Sequence, residues 1–223
     1  MKNNKTIYHF VVDQSGSMAG LEGMVIESFN SQFNTLKKLK KEFPEQEFEV
    51  SLTYFEDEVT DLLLFQPIDS LKTMTREDFK PGGLTALFDG IGRSIDAIRL
   101  KYENLILDDA ASVVMVIITD GGENASKYYT KLAISQKIKQ LEESGKWTFT
   151  FIGAGLDAAQ VSQGLNLNRE NVLSYDRQHF NGIMSDEMEQ AARSYAQAKS
   201  QGRVKTTYMD EVTQKDKRDW DVN

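Results

Sequence analysis

The stretch Val113-Val114-Met115-Val116-Ile117-Ile118-Thr119-Asp120-Gly121-Gly122 decides the architecture. Six apolar residues in a row, mostly β-branched, are too few for an ordinary helix and leave no polar position for solvent. A strand of this kind is buried on both faces, as in parallel sheets covered by helices on either side. It stops at a polar, glycine-rich turn. Ile7–Val12 reads in the same way and stops at Asp13-Gln14-Ser15-Gly16-Ser17. These two runs are expected to be the central strands.

Working outward, Leu21, Met24, Val25, Phe29, Phe33, Leu36, Leu39 and Phe43 recur at spacings of three and four, which predicts a helix ended by Pro44. Phe48, Val50, Leu52 and Tyr54 alternate with Glu47, Glu49, Ser51 and Thr53, which predicts a strand with one solvated face near a sheet edge. Glu56-Asp57-Glu58 is a polar turn, and Val59–Phe65 is the antiparallel partner in a hairpin. Leu87, Phe88, Ile91, Ile95, Ile98 and Tyr102 mark a second helix. Further helices are predicted over Lys127–Glu143, near Asp157–Gly164 and over Phe180–Gln201, with strands over Trp147–Ile152 and Val172–Tyr175. Strands alternating with helices imply an α/β, doubly wound fold. Its central sheet is expected to hold about six mostly parallel strands, with one antiparallel edge strand and helices on both faces. Residues 1–202 form the expected domain. Residues 203–223 are charged and aperiodic, and are expected to be a loosely held polar tail in which Trp220 alone offers a docking group.

Composition narrows the function. The chain has 26 Lys+Arg against 34 Asp+Glu, a net charge of −8, and a pI near 4.9. That balance argues against a general nucleic-acid binder, which needs a concentrated basic face. The absence of Cys removes disulfide frameworks, zinc ribbons, iron–sulfur clusters and thiol catalysis. Only His9 and His179 are available for a His-rich metal site or a Ser-His-Asp triad, and His9 reads as a core histidine. No run approaches the roughly 20 apolar residues of a membrane span, and Ile7–Val12 is too short for a signal peptide. The expectation is a soluble, cytoplasmic protein with no membrane or nucleic-acid partner.

Ligands in open α/β sheets bind beyond the carboxyl ends of the strands. Three loops there concentrate oxygen donors: Asp13, Ser15 and Ser17 after the first strand, Thr85 before the second long helix, and Asp120 after the central strand. Two carboxylates and three hydroxyls without a soft ligand suit Mg²⁺ or Mn²⁺, or Ca²⁺ in a looser cage. The bland readings are that Asp13 and Ser17 cap the next helix, that Asp89 is an acid favoured at a helix start, and that Glu123 is a solvated surface acid.

Asp13-Gln14-Ser15-Gly16-Ser17 resembles the D-x-S-x-S signature of von Willebrand factor type A domains. Gly82-Gly83-Leu84-Thr85-Ala86-Leu87-Phe88-Asp89 is similar to the second element of that family, with Leu84 placed before the Thr as a departure. Ile118-Thr119-Asp120-Gly121-Gly122-Glu123-Asn124 is similar to the third. The resemblance spans about residues 5–200 and points to an intracellular, prokaryotic-type, stand-alone member with a Rossmann-like sheet. It implies a metal-ion-dependent adhesion site. Ser15, Ser17 and Thr85 would offer hydroxyls, Asp13 and Asp120 would act directly or through water, and an open position would take an Asp or Glu of a partner protein. The resemblance also implies a setting beside an AAA+ ATPase or in a multiprotein assembly. The alternative is a metal-dependent phosphatase or hydrolase using Asp13. Haloacid-dehalogenase-like phosphatases also place an Asp after the first strand, but require a second Asp where this chain has Ser15. Nucleotide binding is disfavoured, because no G-x-x-x-x-G-K-[ST] occurs and Gly153-Ala154-Gly155 lacks a third glycine.

Overall fold

The central strand predicted from Val113–Ile118 extends over Ala111–Thr119, and all nine of its residues are buried. The computed structural model describes residues 4–154, 161, 163–175, 186–203 and 205–209. In chain order the elements are β1 (Lys5–Asp13), α1 (Glu22–Glu42), β2 (Glu47–Phe55), β3 (Val59–Pro67), α2 (Leu87–Leu107), β4 (Ala111–Thr119), α3 (Lys131–Glu143), β5 (Trp147–Ala154), β6 (Val172–Tyr175) and α4 (Met188–Ser200). The sheet has six strands in the order β3-β2-β1-β4-β5-β6. Every pairing is parallel except β2 with β3. The two wholly apolar runs are therefore the two middle strands. The doubly wound sheet with a single antiparallel edge strand is present as expected.

Alternate residues of the strands face opposite helix layers. Tyr8, Phe10, Val12, Val114, Val116 and Ile118 pack with Phe29, Phe33 and Leu36 of α1 and with Met188, Ala192 and Tyr195 of α4. Ile7, Val11, Val113, Met115 and Ile117 pack with Ile91, Ile95 and Ile98 of α2 and with Ile134 and Ile138 of α3. Each fully buried aliphatic side chain contributes roughly 1.5–3 kcal/mol, so these two layers dominate the folding energy. Among the described residues, no helix is long and apolar enough to cross a membrane. The predicted short helix near Asp157–Gly164 falls mostly outside the described residues, as do His179, Trp220 and the first residues of the predicted last helix.

Two expectations are corrected by packing. The polar face of β2 is solvated only at its start, where Glu47 is exposed, because α2 covers the rest and leaves Ser51 and Thr53 fully buried. Both hydroxyls are spent internally. Ser51 Oγ accepts the N–H of Phe65 at 2.7 Å, and Thr53 donates to Asp61 at 2.7 Å. The expectation of a loosely held tail fails at its start. Tyr208 and Met209 are 1% and 0% exposed, and the Tyr208 ring sits 5.9 Å from that of Tyr195 and 6.3 Å from that of Tyr8. The fully buried Asn171 fastens this segment, accepting the N–H of Tyr208 at 2.6 Å and donating to the carbonyl of Thr206 at 3.2 Å. One buried amide thus satisfies backbone that carries no periodic signal.

His9 is a core histidine, as expected. It is fully buried, with Nε2 at 3.1 Å from Thr53 Oγ1. Since Thr53 donates its proton to Asp61, it accepts from His9, which sets the neutral Nε2–H form. Burial lowers the His9 pKa to about 4, against an opposing attraction from Asp61. The unfolded state therefore binds the proton first, and stability falls as pH drops from 6.5 towards 4. The His9 contribution is a loss of about 1 kcal/mol between pH 7 and about 5.5. Glu142, pushed up to about 7 by burial, acts with the opposite sign in the same window. The check is therefore a comparison of urea unfolding for wild type and His9→Gln at both pH values. The variant should lose this increment, and equal pH slopes in the two proteins would refute it.

Candidate metal centre

Strand order reverses between β1 and β4, so their carboxyl ends diverge into separate loops and leave a crevice. Asp13 is the last residue of β1, and Asp120 follows the last residue of β4. Asp13 is fully buried. One of its oxygens accepts the Ser15 N–H at 2.8 Å, and the other accepts the Thr119 hydroxyl at 2.5 Å. The predicted capping role is thus partly real: Asp13 closes its own loop, but no side chain caps the short turn Gly16–Met18. Ser15 and Ser17 hydroxyls lie 3.0 Å apart, and Ser17 donates to Asp120 at 2.6 Å.

Thr85 reaches the same crevice. Gly83 takes a left-handed backbone, φ 68°, which L side chains avoid. After it, the Leu84 side chain lies 54% exposed while Thr85 is only 4% exposed. The extra apolar residue therefore does not displace the Thr. A methyl group added at Gly121 would stand 3.7 Å from Ser17 Oγ, 3.7 Å from Thr85 Oγ1 and 3.9 Å from Asp13 Oδ2. Oxygens from three separate loops thus converge beside a residue that has no side chain. All five predicted residues are brought to this edge of the sheet, with Asp13, Ser15 and Thr85 forming a buried floor and Ser17 an exposed rim.

Burial is the largest influence on Asp13 and pushes its pKa up, opposed by the hydrogen bonds from Thr119 and Ser15. The neighbouring Asp120 carboxylate adds to the rise. A buried carboxylate in that state favours a cation. Among the described residues, no group of three or more His, Cys, Asp or Glu is placed to hold a metal. A cation here would meet two carboxylates and a majority of hydroxyls, a hard-oxygen set that suits Mg²⁺, Mn²⁺ or Ca²⁺.

No protein-family model and no curated protein matches the sequence. Among solved structures, the von Willebrand factor domain of the type V pilus tip protein of Porphyromonas gingivalis superposes with a TM-score of 0.59, at 12% identity, over 92% of this chain and 97% of that one. The chain has the von Willebrand factor type A fold. A von Willebrand factor type A protein from Catenulispora acidiphila matches at TM-score 0.55 and 15% identity, over 86% of this chain and 43% of that one. Proximal thread matrix protein 1 of the mussel byssus, solved with its metal-ion-dependent adhesion motif occupied by zinc, matches at TM-score 0.51 and 18% identity, over 84% of this chain and 46% of that one. The chain spans less than half the length of the last two proteins, and at these identities the likeness is one of the von Willebrand factor type A fold.

Sequence reasoning missed the residues that brace this edge. Thr119 holds Asp13. The Asn124 side chain accepts the Thr85 N–H at 2.8 Å, and the Asn124 backbone N–H donates to the Thr85 carbonyl at 3.0 Å. Glu123 is not a solvated acid, because its carboxylate accepts the N–H groups of Phe88, Ala125 and Ser126 and the Ser126 hydroxyl. Asp89 is more than an acid at a helix start. It is 5% exposed and accepts the N–H groups of Lys127, Tyr128 and Tyr129. That is why α3 begins at Lys131 rather than at Lys127: the backbone N–H groups of residues 127–129 are bonded to the Asp89 carboxylate instead of to a helical turn. The only signal in the sequence was the density of small polar residues over 119–126.

Proposed function

We propose that the chain is a divalent-metal-dependent protein-recognition module without chemistry of its own. Asp13, Ser15, Ser17, Thr85 and Asp120 would hold one Mg²⁺ or Mn²⁺, with Ca²⁺ as a further candidate, and an Asp or Glu of a partner protein would complete the coordination. The observation that supports this most is the convergence of Ser17, Thr85 and Asp13 oxygens beside Gly121. When bound, the ion would supply positive charge that the three neutral hydroxyls do not offset, and with Asp13 or Asp120 acting through water enough of it would remain to attract an incoming carboxylate. Asp13 orients the loop through Ser15, and Thr119 keeps its carboxylate aimed at the crevice. Zinc in the adhesion motif of the byssal thread protein adds support for a divalent ion at the corresponding edge of the fold.

The phosphatase reading is less well supported. The second Asp that such phosphatases require as acid/base is replaced by Ser15, whose backbone N–H is bonded to Asp13. The cytoplasmic setting and the AAA+ assembly belong to this proposal through the family resemblance. With the purified chain immobilised in Mg²⁺, a protein partner should be captured from cell extract and released by chelator. Asp13→Ala should capture none. Capture that ignores both chelator and this substitution would refute the proposal.

A further inference from the structure

Beside the metal edge, the β2–β3 turn and the loop before α3 enclose a cavity of about 470 Å³. Its size lies within the roughly 300–1,000 Å³ of typical ligand pockets. The carboxylates of Asp57 and Glu58 stand at its mouth, and both residues are exposed. Two tyrosines line it as well: Tyr129, half-buried, with Lys137 Nζ already 5.6 Å from its ring centre, and Tyr128, which is 80% exposed although it is a large aromatic residue. Two further charges line the cavity, the buried Asp89 and the exposed Arg93, and both are already engaged. Asp89 spends its carboxylate on three backbone N–H groups. Arg93 donates to the Val59 carbonyl at 3.1 Å and to Asp61 at 2.9 Å. The potential offered to a ligand is therefore negative, and the wall is aromatic.

We infer that this cavity receives the guanidinium of an arginine side chain from the partner protein. A planar cation stacks on tyrosine faces and bridges carboxylates, which a compact ammonium does less well. The present neighbour of Glu58 is easily displaced. Lys127 Nζ lies 3.2 Å from Glu58, but the two side chains are 56% and 73% exposed, and such pairs contribute little. The cavity is also coupled to the metal edge. Asp57 accepts the N–H of Leu84 at 3.1 Å, and Leu84 precedes Thr85 in the crevice. A partner chain that lays an acidic residue over Thr85 would cover the exposed Leu84 and bring a nearby arginine to Asp57 and Glu58. The inference rests on the proposed function only for that acidic residue, since the cavity itself requires no metal.

The test is a titration of ¹⁵N-labelled full-length chain with N-acetyl-arginine amide, once in chelator and once in Mg²⁺. Amide shifts should be confined to residues 57–59, 127–129, Leu84, Asp89 and Arg93 and should saturate in the millimolar range, equally in both buffers. The double substitution Asp57→Asn, Glu58→Gln should weaken binding by at least about fivefold, and Lys127→Ala should tighten it by about twofold. All three positions are exposed, so the variants should stay folded. Equal shifts with N-acetyl-glutamine amide would overturn the inference, as would binding of N-acetyl-aspartate amide at this cavity or an unchanged affinity in the double variant. Because the cation titration is read in chelator as well, its outcome is separate from that of the metal-dependent capture.

Discussion

Adding Mg²⁺ or Mn²⁺ at 100 times its dissociation constant is expected to stabilise the folded chain by about 2.7 kcal/mol, if the ion binds only the native state. For a chain of this length, that is a rise in Tm of roughly 5–10 °C. The size follows from mass action, and the direction follows from the site. The crevice gathers oxygens that are far apart in sequence, so the unfolded chain presents no comparable set. Asp13 is buried among hydroxyls and beside the Asp120 carboxylate, so that burial and repulsion both disfavour its charge, and an ion relieves that burden. Asp13→Ala should abolish the shift and still leave a folded protein, because the two core layers on either side of the sheet do not depend on this carboxylate. Gly121→Val is the sharper probe. It leaves every proposed ligand in place but fills the space between Ser17, Thr85 and Asp13, and should also abolish the shift. Thermal melts of the three proteins with and without each ion provide the check. A wild-type Tm indifferent to millimolar Mg²⁺ and Mn²⁺ would dispose of the metal site.

Truncation after Gly202 is expected to cost about 3–5 kcal/mol, the range for removing a large buried aromatic side chain. In this chain that is a fall in Tm of roughly 6–20 °C. Tyr208 lies between Tyr8 of β1 and Tyr195 of α4, so its removal opens a cavity between the sheet and a helix. The same cut leaves Asn171, fully buried, without the Thr206 carbonyl and the Tyr208 N–H, and a stranded buried amide adds to the loss. Tyr208→Ala in the full chain isolates the cavity from the hydrogen bonds and should account for most of the change. Urea unfolding of wild type, truncation and point variant measures both parts. A truncated protein as stable as wild type would show that the segment is dispensable to the fold.

Much of the fold was legible because burial leaves a periodic record. Residues 7–12 and 113–118 carry no polar position other than His9, so only a doubly covered strand accommodates them, and they are the two middle strands. The helical stripe of α1 ended where Pro44 placed it, and the stripe from Leu87 to Tyr102 lies on α2, which runs on to Leu107. The oxygen-bearing residues Asp13, Ser15, Ser17, Thr85 and Asp120 stood out by type and by their position just past strand ends. What local pattern could not convey is which surface covers which. Ser51 and Thr53 look solvent-facing along β2, yet they are buried because α2 lies over them and their hydroxyls find Phe65, His9 and Asp61. Residues 205–209 look like tail, yet Asn171, more than thirty residues away, satisfies their backbone. Asp89 and Glu123 are ordinary acids until the loop over 124–129 folds onto them. In each case the deciding energy is a hydrogen bond or contact between distant segments, with no period in the chain to announce it. The residue types and the strand and helix order were therefore determined by the sequence read locally. The covering of β2, the docking of Tyr208, the bracing of the metal edge and the tyrosine-walled cavity beside it were decided only when tertiary packing brought distant polar groups within hydrogen-bonding reach.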